Sequence, residues 1–222
     1  IPPLTQVNGR LAFTEQSMQA RDLSAEVLGG PSKINITSGD GPLRIAASGT
    51  AQLAIAKREL ALPLPLQHRV TGTADWQLDT VARGEFSTWT LTSSLQGTAI
   101  DLPAPIGKLA TQSVPLKVER REVAGRPNED LLTVDFGTAH RAIVHRVLGK
   151  EHASVDRALL LLGNAVARGG TPDRGGIWVR GNMRELDLDE WMALYFKESA
   201  SPTGAGPGGG RAAAPLEVNG IE

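Results

Sequence analysis

Apolar and polar residues alternate along most of this chain, and a period of two marks strands rather than helices. Leu43, Ile45, Ala47, Gly49, Ala51, Leu53 and Ile55 are all apolar or glycine, with Arg44, Ser48, Thr50 and Gln52 between them. A second run places Leu66, Val70, Gly72, Ala74, Trp76 and Leu78 on one face, interrupted by His68, and Arg69, Thr71, Thr73, Asp75, Gln77 and Asp79 on the other. A third sets Trp89, Leu91, Leu95, Gly97 and Ala99 against Thr90, Thr92, Ser94, Gln96 and Thr98. Each run reads as a strand of about 13 residues, near 40 Å at about 3.3 Å per residue. One apolar and one polar face imply an antiparallel sheet wetted on one side. Ile45, Leu53, Val70, Trp76, Leu91 and Leu95 should share the apolar surface, with Arg69, Asp75, Asp79 and Gln96 facing water.

Shorter alternating runs flank these: Val7 to Phe13, Leu23 to Val27, Ile34 to Ile36, Val114 to Val118, Leu132 to Phe136 and Ile177 to Met183. Alternation breaks between Ala20 and Leu23, which predicts a bulge near Arg21-Asp22. Turn signals at 29–31, 38–42, 83–85, 125–128 and 172–176 separate the runs. The pattern predicts an all-β chain with a short helix, its strands in a long antiparallel meander. The helix is expected at about 187–197, where Leu188, Trp191, Met192 and Tyr195 keep helical spacing and Asp187 with Glu190 forms a capping box. Leu159-Leu160-Leu161-Leu162 fits a buried strand or a short helix, and periodicity leaves both open. Residues 199–214 are mostly Gly, Ala, Pro and Ser, the composition of a flexible linker. The expected organisation is one β unit over 1–64, a long-strand unit over 65–198 ending in the helix, the linker, and the start of a further β unit at 215–222. Ile1 is not Met and an apolar stretch has just begun at Glu222, so a piece of a longer protein is expected.

Composition narrows function mainly by exclusion. Hydrophobic residues make up 41% and aromatics only 4%, so small aliphatics do most of the burying. Net charge is -1 with both signs interspersed, and no basic block exists to neutralise a row of phosphates, which argues against nucleic acid. No cysteine is present, so disulfides, thiolate zinc sites and a thiol nucleophile are out.

The chemistry-bearing residues form no catalytic pattern. Of the four histidines, His68, His140, His145 and His152, the 140/145 pair has no helical metal-ligand spacing and no close carboxylate motif, and His68 reads as a satisfied, partly buried imidazole. No Gly-x-Ser-x-Gly elbow occurs. Gly107-Lys108 is no P-loop, because Leu102 stands where a phosphate-cradling glycine is required and Leu109 follows. Asn35-Ile36-Thr37 is formally a glycosylation tripeptide. Glu129-Asp130 reads as part of a hairpin turn and Asp187/Asp189 as a helix start. No enzyme, cofactor or metal is expected. Asp101-Leu102-Pro103-Ala104-Pro105-Ile106-Gly107-Lys108 stands apart. It reads as a strand-ending loop with a proline-set extended backbone, or as an apolar lip at the edge of a groove.

The block Thr92-Ser93-Ser94-Leu95-Gln96-Gly97-Thr98-Ala99-Ile100-Asp101-Leu102-Pro103-Ala104-Pro105-Ile106-Gly107-Lys108 resembles a signature of the YhdP branch of AsmA-like proteins. Gly72-Thr73-Ala74-Asp75-Trp76, Gly176-Ile177-Trp178-Val179-Arg180-Gly181 and Leu186-Asp187-Leu188-Asp189-Glu190-Trp191 match that branch in order and spacing over roughly 66–196. Residues 8–55 resemble its generic β repeats. The resemblance implies a sheet curled into a long groove, in the periplasmic portion of a large protein anchored in the inner membrane of a Gram-negative bacterium. It implies carriage of phospholipid between inner and outer membranes, which supports outer-membrane lipid homeostasis. Partners would be phospholipid acyl chains and the remaining segments of the parent, with membranes contacted through parts absent from this chain.

On that view the groove-facing residues are Leu43, Ile45, Leu53, Val70, Trp76, Leu78, Trp89, Leu91 and Leu95. The groove-edge loop carries Asp101, Leu102, Pro103, Pro105 and Lys108. Small residues at Gly49, Gly72, Ala74 and Gly97 would keep the trough open. The competing expectation is a structural or adhesive cell-envelope module whose apolar face is closed core with no ligand; an enzyme of β-sandwich class ranks third. Cover over the apolar face separates the first two, because burial by a second sheet is the ordinary fate of amphipathic strands.

Overall fold

A computed structural model of the chain describes residues 2–60, 64–84, 86–149, 153–163, 174–183, 187–199 and 218–221. The expected linker, apart from Ser199, lies outside them, as does His152. The strands are β1 (Leu4–Asn8), β2 (Leu11–Phe13), β3 (Met18–Val27), β4 (Gly30–Thr37), β5 (Leu43–Gln52), β6 (Val70–Arg83), β7 (Phe86–Ser93), β8 (Thr98–Ile100), β9 (Leu116–Val123), β10 (Arg126–Phe136), β11 (His140–Leu148), β12 (Ala153–Leu162), β13 (Gly176–Gly181) and β14 (Val218–Ile221). Helices are α1 (Leu53–Glu59), α2 (Leu64–Arg69) and α3 (Leu188–Ser199). The sheet runs β1-β3-β4-β5-β6-β7-β9-β10-β11-β12-β13-β14, with β2 on β3 and β8 on β6. It is an open curled sheet, not closed into a barrel.

The meander is antiparallel from β1 to β12 and turns parallel at β12–β13 and β13–β14. Parallel neighbours need crossover connections of a dozen or more residues, and α3 lies between β13 and β14. The predicted bulge is present: the β3–β4 register shifts between Ala20 and Leu23, and Asp22 adopts φ 51°. The sheet continues across the expected unit boundary at 64/65, since β5 and β6 pair from Leu43↔Ala82 to Gln52↔Thr73.

Three strand limits differ from the alternation. The first run stops at Gln52, and Leu53 and Ile55 belong to α1. Lys57 and Arg58 sit in its last turn, where cations oppose the helix dipole. The second run starts at Val70; Leu66 and His68 lie on α2, where His68 is exposed rather than partly buried in an apolar face. The third run breaks after Ser93. Leu95 and Gly97 take positive φ of 49° and 87°, which turns the chain so that Thr98–Ile100 pairs with the start of β6. The four-leucine segment is strand β12 and α3 begins at Leu188, with the Glu190 amide donating to Asp187 Oδ1 at 3.0 Å.

Candidate functional site

Register converts the alternation into a surface. Ladder partners run Leu23↔Ile34↔Ala47↔Leu78↔Leu91↔Val118↔Val134↔Ala142↔Leu160↔Val179, one apolar side chain per strand from β3 to β13. Directly opposed residues project from the same face, so these form an unbroken apolar stripe perpendicular to the strands. Its exposure changes along its length. Leu23 and Ile34 are buried with Ala51 and Trp76 in a cluster that α1 joins through Ala56. From Leu78 to Val179 the stripe is half-buried, apart from Leu160, which is exposed. Every described strand but β8 belongs to this one sheet, so no second sheet of described residues covers the stripe.

Ile45, Leu53, Trp76, Leu78 and Leu91 all pack in or against the cluster around Ile34. Leu43 and Trp89 occupy the same face by register, opposite Ala82 and Thr80. Asp75, Asp79 and Gln96 are exposed and Arg69 is half-buried. Val70 and Leu95 are buried but lie outside the cluster, and both serve the proline loop: Val70 pairs with Ile100 beside it, and the Leu95 carbonyl accepts from Lys108. Gly72 does not open a trough. Its φ is +98°, and a Cβ there would meet the Gly97 carbonyl oxygen at 2.1 Å, so glycine permits the close approach of β6 to the turn before β8.

The proline loop is built from beneath. Lys108 is buried, and its Nζ donates to the carbonyls of Leu95 at 2.8 Å, Thr98 and Leu109 at 3.1 Å. Burial lowers its pKa from the ordinary lysine value. Its charge is thus spent inside the fold and is not displayed at the rim. Asp101 is exposed and Leu102, Pro103 and Pro105 are half-buried. The loop adjoins the β10–β11 turn: a shallow concavity is lined by Pro105, Lys108, Val114, Phe136 and His140.

Sequence reading missed two polar clusters. On the stripe's own face, Asp130 has no exposed surface. Arg146 donates to it through Nε (2.8 Å) and Nη2 (2.7 Å), and Arg120 through Nε (2.5 Å). Arg120 also donates to Ser87 Oγ at 3.2 Å and lies 3.6 Å from Glu122. Burial pushes the Asp130 carboxyl up, and the hydrogen bonds and charges of Arg146 and Arg120 more than reverse this, leaving its pKa below the usual aspartate value. Asp130 therefore belongs to a strand and a charge network, not to a hairpin turn. Alternation counts only polarity, and a charged residue on an apolar face becomes visible only when register brings its counter-charges alongside. On the opposite face, buried His145 lies 3.1 Å from Glu129 and 3.4 Å from Asp156. Near it Ile143, Leu159 and Leu161 form a second core with Leu131 and Trp178, so β12 is apolar on both faces.

Among the described residues no group of three or more His, Asp or Glu could hold a metal ion, and no helix is long and apolar enough to cross a membrane. A family model described as YhdP protein matches residues 1–220. No curated protein and no solved structure matches the chain.

Proposed function

The chain belongs to the YhdP family, and on that premise we propose that it is a non-catalytic stretch of a groove carrying phospholipid between the inner and outer membranes of a Gram-negative bacterium. It would act in the periplasm as part of a larger inner-membrane-anchored protein and support outer-membrane lipid homeostasis. The supporting observation is the stripe from Leu78 to Val179: one apolar residue per strand, half-buried or exposed, with no second sheet of described residues over it. A lipid tail needs a continuous apolar track, and burial stabilises by about 25 cal/mol per Å² without directionality, so a chain can slide along it. Aliphatic side chains that offer area and no hydrogen bond suit a moving tail better than a fixed ligand.

Site-specific photo-crosslinking tests this. A photoreactive residue at Leu91, Val134 or Leu160 in the full-length parent should capture phospholipid, whereas one at Asp79 or Thr90 on the polar face should not. Equal capture on both faces, or none on either, would overturn the proposal and leave a structural envelope module.

A further inference from the structure

The apolar stripe has an unequal pair of banks. Along β9 the apolar face reads Leu116, Val118, Arg120, Glu122. On one side lie Leu116, Phe136 and the proline loop; on the other lies the network around Asp130. From Leu116 to Arg120 is four residues, roughly 13 Å of strand. An acyl chain has room to move across the strands within that width and cannot drift past Arg120 without meeting charge. The network is also balanced in sign. Arg120 and Arg146 carry two positive charges, and Asp130 and Glu122 two negative ones. Each guanidinium commits part of its five-donor fork to Asp130 and retains further N–H groups. The Arg120 and Arg146 side chains are 18% and 26% exposed, and Glu122 is 13% exposed. Ser87 Oγ donates to Glu122 Oε1 at 2.8 Å, so two partly exposed guanidiniums stand beside a partly exposed carboxylate at the edge of an apolar track.

We propose that the Ser87–Glu122–Arg120–Asp130–Arg146 network is a docking ledge for a dipolar lipid headgroup, a phosphodiester carrying an ammonium. The proposal deepens the lipid-groove function and rests on it. The phosphodiester oxygens accept from the remaining N–H groups of Arg146 and Arg120, and the ammonium faces Glu122. Asp130 makes no contact with lipid; it is the positioning residue that fixes both guanidiniums. A purely anionic headgroup gains less, because the network has no net positive charge and Glu122 repels it. A headgroup without phosphate gains nothing there.

The test compares three lipids with identical acyl chains, a phosphatidylethanolamine, a phosphatidylglycerol and a diacylglycerol, bound to the 222-residue chain and measured by native mass spectrometry. The wild type should prefer the phosphatidylethanolamine over the other two by roughly tenfold, a difference of about 1.4 kcal/mol. The variant Arg120→Met/Asp130→Leu/Arg146→Met replaces the buried charges with apolar groups of similar volume, an exchange that buried ion networks commonly tolerate. It should hold all three lipids alike. Should it fail to fold, Arg146→Gln keeps the Arg120–Asp130 pair and should reduce the preference on its own. A wild type without preference, or a preference that survives in a folded variant, would overturn the ledge and leave the groove standing. None of the three lipids bound by either protein would overturn both.

Discussion

The indole N–H of Trp191 donates to the carbonyl of Ala104 at 3.0 Å, joining positions 87 residues apart. It ties the last described helix to the proline loop, and therefore the end of the β13 connection to the rim beside β7 and β8. Leu188 and Met192 stay exposed, whereas Trp191 and Leu194 are half-buried, so α3 is docked by the side that carries these two. Trp191→Phe keeps the ring and removes the donor. Stability should fall by about 1 kcal/mol. Amide exchange should quicken in both 101–108 and 188–199. Faster exchange in the helix alone would mean that the loop is held without it.

Lys108 holds that loop from inside. Lys108→Met preserves much of the stem and leaves the carbonyls of Leu95, Thr98 and Leu109 without their shared donor. A loss of about 2–4 kcal/mol is expected from hydrogen bonds made by a buried charged donor. Because burial lowers the lysine pKa, the unfolded chain binds more protons between the folded value and the unfolded value of about 10.4, so this residue makes stability rise with pH across that interval. Chemical denaturation at several alkaline pH values should show the rise in the wild type and its absence in the variant.

Asp130 gives the opposite limb. Its folded pKa lies below the ordinary value because two arginines outweigh its burial. Its contribution is fully present above the unfolded aspartate value of about 3.9 and disappears as pH falls through the lower folded value. Asp130→Asn should flatten the acid limb of a stability–pH curve and destabilise the protein at pH 7, where Arg120 and Arg146 lose their counter-charge. An unchanged acid limb would show that other carboxylates set it.

Much of the sheet was legible because period two and face assignment are the same information. Asp75 and Trp76 point opposite ways, as their polarity demands, and Ile45, Leu78 and Leu91 meet on one surface. Strand ends were less legible. Leu53 and Ile55 continue a two-residue period as well as they begin an amphipathic turn, and two residues cannot separate the periods. The break after Ser93 rests on positive φ at Leu95, a residue whose type gives no warning of it. The site was legible only as a greasy face. Arg120, Asp130 and Arg146 sit on three strands, and no spacing along the chain reveals that their side chains converge.

The stripe itself makes two demands that one substitution type separates. Ile34 is 7% exposed inside the cluster with Leu23, Ala51 and Trp76. A lysine there has no counter-charge and no water, so Ile34→Lys should cost several kcal/mol, or force a neutral amine, and leave the chain largely unfolded. Leu91 occupies the same ladder row three strands further on but is only half-buried. A lysine at that site can lay its stem along neighbouring aliphatics and keep its ammonium in water. Leu91→Lys should therefore lower the melting temperature by only a few degrees, about 1 kcal/mol for a chain of this size. Lipid capture by a photoreactive residue at Val134 should nevertheless fall sharply in the same variant, because a charge in the track interrupts the apolar path. Thermal melts and crosslinking yields on both variants decide between groove and closed core. If Leu91→Lys unfolds the chain as Ile34→Lys does, the face is closed at β7 and the groove ends before it.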